Sequence, residues 1–228
     1  MKNGGQFWDG ISGNEKNAGH DCFPDGELLY QVDSNNNGST DTNMGLLIGD
    51  YNLNGITDSL GADLIAGTAD DVQEDTLFMS YADARFLINA NNQQMNDGVV
   101  KIGRDVVATW LNYLAGNGIG DAGDTQSPHH FIDDAIDYLQ IFGDSAAGNG
   151  SLVETFDTYS SSHGGVKTGT SAWTSNYPGG DHSGSDIHSA LDYYNNTGMT
   201  SPTSPVYAHD CDDMMFVTAY ALTQEAII

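Results

Sequence analysis

Four segments of the chain place apolar residues three and four positions apart, the spacing that puts side chains on one face of a helix. The stretches 104–115 and 128–142 each gather such residues into one broad stripe. Around the second stripe, Ser127 suits the N-cap, Pro128 the first helical position and Gly143 the end. The predicted helices span 81–90, 104–115, 128–142 and 186–195, the last with Ser185 as its cap.

The rest of the chain shows no regular period of apolar residues. Scattered aromatic rings in 1–30 predict irregular structure with a short strand near 28–32. Gly, Ser, Thr and Asn dominate 144–185, which indicates either one long folded loop or several short strands. The apolar segment 214–228 suits a core strand and a helix equally well. Together these patterns predict a mainly α, loop-rich fold of about four helices with a few short strands.

Length and charge narrow the class of protein. With 228 residues and 39% apolar content, the chain is long enough to bury a core of its own, which favours a single domain over 1–228. Acidic residues number 32 against 6 basic ones, a formal net charge of -26. Such a charge repels nucleic acid and attracts cations. The sequence has no apolar run of about 18 residues, so we expect no membrane insertion.

The acidic residues are mostly aspartate, with 27 Asp and 5 Glu making up the 32. Glu suits helices, whereas Asp suits turns, caps and metal-binding loops. The excess of Asp therefore favours loops that bind a ligand over a uniformly charged surface. Adaptation to high salt remains the alternative on charge alone.

Two stretches, 33–41 and 50–58, share the pattern D-x-N-x-N-G-x-x-D. Calcium takes roughly six to eight oxygen ligands, and alternate side chains plus a backbone carbonyl wrap it when a glycine reverses the chain after the third ligand. The tandem copies therefore predict two calcium loops. The side-chain ligands are Asp33, Asn35, Asn37, Asp41, Asp50, Asn52, Asn54 and Asp58, with Ser39 and Ile56 contributing backbone carbonyls.

The residues after the second loop add further carboxylates. Asp63, Asp70 and Asp71, with Glu74 and Asp75 nearby, complete the second site or form a third one in this interpretation. A segment of tandem calcium loops over 31–75 thus separates the irregular residues 1–30 from the helical and Gly/Ser-rich remainder, 76–228.

A helical EF-hand is not expected, because Met44 and Gly61 stand where that motif has a bidentate glutamate. Asx-turns without an ion are the alternative for both loops. Magnesium fits less well than calcium, since it retains several waters and needs a stricter geometry.

The loops over 33–71 resemble the calcium loops of thrombospondin type 3 repeats and dockerin modules, and more broadly the Asp/Asn/Gly loops of secreted bacterial surface proteins. The resemblance implies an extracellular or cell-surface, calcium-ordered structural or adhesive module without catalytic activity. Its partners would be calcium ions together with carbohydrate, another surface protein or further copies of itself. The first ten residues lack the features of a secretory signal, so an exported protein is expected in its mature form.

The tripeptide His-Asp-Cys occurs twice and contains both cysteines of the chain. A Cys22–Cys211 disulfide in an oxidising compartment is the plain interpretation. A zinc site formed by His20, Cys22, His209 and Cys211 has suitable ligand types but an unusual spacing, and free thiols are the third alternative.

Each of the remaining histidines has either a purely structural or a functional interpretation. His129 and His130 begin the third predicted helix, with Asp133, Asp134 and Asp137 one turn on. A solvated helix face is favoured for them, with a metal or acid–base site as the alternative. His163, His182 and His188 lie in or near the Gly/Ser-rich region, where GGDHSGSD contains a possible Ser/His/Asp set. Because no recognised catalytic frame surrounds that set, turn caps or additional calcium ligands are favoured, and a secreted hydrolase with structural calcium is an alternative function.

Several aromatic residues lie near Asn and Asp in the C-terminal half. Ordinary packing is favoured for these rings, and the alternative is a carbohydrate-binding module in which the rings stack on sugars beside a calcium. The residues concerned are Trp173, Tyr177, Tyr193, Tyr194 and Tyr207.

Overall fold

The computed structural model describes the chain in ten stretches, and the predicted fold class is confirmed over them. Helices predominate, joined by loops and short strands. The described residues are 30–31, 44–51, 58–59, 72–73, 76–90, 94–114, 117–121, 123–143, 154–156 and 166–207. The helices are α1 (Tyr81–Ile88), a 3-10 helix (Gln94–Asn96), α2 (Gly98–Leu114), α3 (Pro128–Phe142), α4 (Ser171–Thr174) and α5 (Gly184–Thr197).

The strands form two small sheets within the described residues. The strands are β1 (Tyr30–Gln31), β2 (Met44–Ile48), β3 (Asp58–Ser59), β4 (Val72–Gln73), β5 (Leu77–Ser80) and β6 (Glu154–Phe156). In the larger sheet the order is β1-β2-β5-β6, with β2 antiparallel to β1 and β5, and β6 parallel to β5, while β3 and β4 pair separately. The short strand predicted near 28–32 corresponds to β1.

Helix α2 begins at Gly98, six residues before the start that its apolar stripe predicts. Gly98 and Gly103 interrupt the apolar pattern at the start of this helix. Neither position has room for a larger residue, because side chains of other elements pack against the helix there. A Cβ at Gly98 would lie 2.5 Å from the Trp173 ring, and one at Gly103 would lie 2.9 Å from Leu87. The predicted stripe itself is buried, as Val106, Val107, Trp110, Leu111 and Leu114.

Helix α3 has the predicted ends. The Ser127 hydroxyl accepts a hydrogen bond from the His130 amide at 3.1 Å, and Pro128 occupies the first turn. The Gly143 amide donates to the Leu139 carbonyl where the helix stops. The predicted buried stripe is also confirmed, as Phe131, Ile132, Ala135, Ile136 and Leu139.

Helix α5 begins earlier than predicted, because Ser183 and not Ser185 is its cap. The Ser183 hydroxyl accepts from the Asp186 amide, and the Asp186 carboxylate accepts from the Ser183 amide in return. This reciprocal capping box satisfies two amides that the first turn would otherwise leave unpaired. Gly198, in the left-handed conformation at φ 74°, ends the helix.

Helix α2 packs against α1, α3 and α5, and α3 also packs against α5. The fully buried rings of Trp110 on α2 and Tyr138 on α3 contribute to this core. The packing brings the N-terminal half of α3 close to the segment that leads into α5. Among the described helices, none has the length and apolar character needed to span a membrane.

Candidate metal centre

Three side chains from two parts of the chain converge beside the N-terminal half of α3. His130 and Asp134 are four residues apart and therefore share a face of α3. His182 precedes the Ser183 cap of α5, and its Nδ1 lies 2.6 Å from Asp134 Oδ2. One nitrogen or oxygen atom from each of the three residues lies within 4.8 Å of the other two. The two capping serines, Ser127 and Ser183, fix the helix ends that present these side chains.

The Asp134 carboxylate is oriented by a buried tyrosine. The Tyr177 hydroxyl donates to Asp134 Oδ1 at 2.5 Å, which leaves Oδ2 directed toward His182. Burial, reinforced by the hydrogen bond to Asp134, raises the pKa of Tyr177, so the phenol remains a proton donor at neutral pH. The His182 ring packs against Phe131, with ring centroids 4.5 Å apart. Such support for a carboxylate and an imidazole is common around bound metals.

His130 has a buried ring nitrogen without a hydrogen-bond partner. Its Nε2 lies 3.8 Å from Asp134 Oδ2 and 3.5 Å from Asp181 Oδ2, both too long for a hydrogen bond. An enclosed polar atom without a partner costs about 1–3 kcal/mol. A cation placed between this nitrogen and the neighbouring oxygens would satisfy it.

The donor atoms favour a transition metal over calcium. Two imidazole nitrogens and one carboxylate oxygen suit Zn²⁺ and related divalent ions, whereas Ca²⁺ and Mg²⁺ prefer oxygen ligands. Imidazole nitrogens bind a metal ion only in their unprotonated form. His182 Nδ1 and Asp134 Oδ2 lie 2.6 Å apart, so an ion bound to both would replace their hydrogen bond and move the two atoms apart. With that adjustment the three side chains can hold a zinc-class ion.

The predicted solvated face around His129 and His130 is wrong, since both side chains are only 19% exposed. The His129 ring lies against Tyr51, with centroids 3.8 Å apart, and the Tyr51 hydroxyl donates to Asp133 at 2.6 Å. Burial lowers the pKa of His129, although a hydrogen bond to the Gly120 backbone opposes the shift. Adjacent histidines thus serve different contacts, and only His130 faces the candidate centre.

A second histidine–aspartate pair joins α2 to α5. Asp105 is 2% exposed, and its Oδ2 lies 2.5 Å from His188 Nδ1. Its Oδ1 accepts hydrogen bonds from Arg104 Nε and Nη2 at 3.1 and 2.9 Å. The Asn195 amide donates to the Asp105 carbonyl and completes the network. His182 and His188 therefore pair with Asp134 of α3 and Asp105 of α2 and do not cap turns, whereas Asp186 caps the start of α5. The alternative that these residues add calcium ligands stays a prediction.

The proposed Ser/His/Asp set does not assemble. The Ser183 hydroxyl donates to Asp186 at 2.6 Å as part of the capping box, and no described hydroxyl contacts a nitrogen of His182 or His188. His163 lies outside the described residues. Ser183 thus has a structural role as the cap of α5.

The aromatic residues of the alternative carbohydrate platform are mostly enclosed. Trp173, Tyr177 and Tyr194 are buried, which confirms ordinary packing for these three rings. Tyr193 and Tyr207 are half-buried.

Two of the predicted calcium ligands fall within the described residues. Asp50, two residues after β2, is fully buried, and Asp58 lies in β3 opposite Gln73. The other predicted calcium ligands lie outside the described residues, as do His20, Cys22, His209 and Cys211. The calcium loops, the disulfide and the Cys/His zinc site therefore stay predictions.

Comparisons with protein-family models, with curated proteins and with solved structures find no match for this chain.

Proposed function

We propose that this chain is a metal-stabilised structural module in which His130, Asp134 and His182 hold one zinc-class ion. The observation that carries the proposal is the buried, unpartnered Nε2 of His130. Its nearest acidic neighbours are the Asp134 and Asp181 carboxylates, and the Asp134 carboxylate is already held by Tyr177. An ion at this point would turn an unfavourable buried nitrogen into a ligand.

The ion would cross-link two segments that lie far apart in the chain. Asp134 and His182 are separated by 48 positions in the chain. An ion bound by both residues would therefore connect the N-terminal half of α3 to the segment that leads into α5. An ion that binds the folded chain but not the unfolded chain raises the free energy of unfolding. A divalent cation also offsets part of the net charge of -26.

The test is equilibrium dialysis of the full chain against zinc, followed by metal analysis. We expect the protein to retain one more zinc per chain than the His130→Leu variant, whatever other zinc sites the chain contains. An excess of calcium should not displace that zinc, because the donor set includes two imidazoles. Equal zinc content in the two proteins would exclude the proposed site.

Calcium-dependent ordering of an extracellular structural or adhesive module is the second candidate function. The repeated D-x-N-x-N-G-x-x-D pattern supports it. In this proposal calcium neutralises the loop carboxylates and rigidifies the chain where calcium is plentiful. A secreted hydrolase and a carbohydrate-binding module gain no support from the described residues.

An Asp33→Asn, Asp41→Asn double variant separates calcium binding from ion-free turns. Asparagine retains the local hydrogen bonds of an Asx-turn but removes both charges. We expect calcium to raise the melting temperature of the unmodified chain, and the double variant to lose most of that rise while melting normally with chelator. If calcium changes the melting temperature of neither protein, the result would favour ion-free Asx-turns and adaptation to high salt.

A further inference from the structure

We infer that the proposed metal centre has an exchangeable fourth coordination position, covered by Asp181, at which a small anion from solution can bind. This inference rests on the proposed function, because it requires an ion held by His130, Asp134 and His182. It extends that proposal from a structural ion to a centre that can exchange a ligand with solvent.

Asp181 lies at the mouth of the centre. Its Oδ2 is 3.5 Å from His130 Nε2, close to the separation of two ligands around one tetrahedral zinc, which is about 3.3 Å for bonds near 2.0 Å. The Asp181 side chain is 67% exposed, whereas those of His130, Asp134 and His182 are 19%, 7% and 15% exposed. The three proposed ligands are therefore enclosed, and the Asp181 carboxylate approaches the centre from the solvent side.

Backbone contacts hold the segment around Asp181, whereas the Asp181 side chain is exposed. The Asn176 side-chain amide donates to the Asp181 carbonyl at 2.7 Å, and Asn176 also pairs with Ser183 in an isolated β-bridge. Between them the Tyr177 ring is buried against Gly180, where a Cβ would lie 2.0 Å from the ring. The Asp181 carboxylate can thus approach or leave the ion by side-chain rotation alone, without movement of the loop.

Charge explains which ligand the position would accept. With neutral imidazoles, Asp134 leaves a divalent ion with one net positive charge, and Asp181 neutralises it. When Asp181 turns away, a small anion restores neutrality at the same position. Centres with three protein ligands commonly retain such an open or exchangeable position, whereas structural zinc sites are closed by four ligands.

Cobalt(II), a visible-light reporter of zinc sites, tests this inference in the full-length chain. We expect Asp181→Asn to weaken cobalt binding by only about two- to fivefold, because the lost contact is exposed. We expect Asp134→Asn to weaken it by more than about a hundredfold, since a buried ligand is lost. Azide should alter the cobalt spectrum of Asp181→Asn at concentrations at least about tenfold lower than in the unmodified chain.

Asp192→Asn is the matched control, because Asp192 is also an exposed aspartate but lies on α5 beside Arg104. It should leave both cobalt and azide binding unchanged. Equal azide sensitivity with and without the Asp181 carboxylate would overturn the inference, as would a loss of cobalt binding in Asp181→Asn as large as in Asp134→Asn. If the unmodified chain binds no cobalt at this centre, the proposed function fails as well.

Discussion

Replacing His130 with leucine is expected to abolish stabilisation by zinc while leaving the metal-free protein nearly as stable as before. In the unmodified chain, zinc at about a thousand times its dissociation constant should raise the free energy of unfolding by about 4 kcal/mol. His130→Leu removes a ligand but also removes a buried nitrogen without a partner. The metal-free variant should therefore stay within about 1 kcal/mol of the unmodified chain. Urea unfolding with chelator and with zinc measures both effects.

His129→Gln is the matched control for this experiment. His129 precedes His130 on α3, has the same 19% exposure and likewise has an aspartate four residues later. Because His129 contacts Tyr51 and not the candidate metal centre, its replacement should leave the zinc-dependent increase in the free energy of unfolding unchanged. If both variants lose this zinc-dependent stabilisation equally, zinc binds the protein nonspecifically. A metal-free His130→Leu protein destabilised by several kcal/mol would show that His130 is a structural core residue.

The second large effect is expected at Asp105, where alanine should lower the free energy of unfolding by about 2–3 kcal/mol. Removing one partner of a buried ion pair costs about 3–5 kcal/mol, and we reduce this figure because Arg104 and His188 are 31% and 23% exposed. The carboxylate joins α2 to α5 through His188, so its loss leaves the Arg104 guanidinium and the His188 ring facing a cavity. Urea unfolding with chelator present measures the change without interference from metal.

Asp192→Asn provides the comparison for Asp105→Ala. Asp192 lies 3.6 Å from the same Arg104 guanidinium, but its side chain is 50% exposed. Exposed ion pairs contribute about 1 kcal/mol or less, so this variant should unfold almost as the unmodified chain does. Similar losses in both variants would mean that burial of Asp105 does not determine its contribution.

Much of the helical part could be predicted from sequence because local signals agree there. In α3 the apolar stripe, the Ser127 cap and Pro128 all indicate the same start. The start of α2 was missed because Gly98 and Gly103 serve contacts with distant side chains that a local pattern does not contain. For α5, both Ser183 and Ser185 are possible caps, but only Ser183 has an acidic residue three positions later to complete a capping box.

The candidate centre was predicted only in part. The four-residue spacing of His130 and Asp134 shows that they share a helix face, and a metal or acid–base site was one interpretation of that face. The third ligand, His182, joins them only through the packing of α3 against α5. For Tyr177, which orients Asp134, the sequence indicates ordinary packing or a carbohydrate contact and no role beside a metal. No local period carries such information, because these contacts link segments more than 40 positions apart.

X-ray absorption at the zinc edge of the zinc-loaded chain, compared with His130→Leu, tests the central claim most directly. We expect two imidazole nitrogens and carboxylate oxygen around the ion at about 2.0–2.2 Å, with one imidazole lost in the variant. A spectrum dominated by sulfur, or one that is identical in the two proteins, would place the zinc elsewhere and contradict a centre formed by His130, Asp134 and His182.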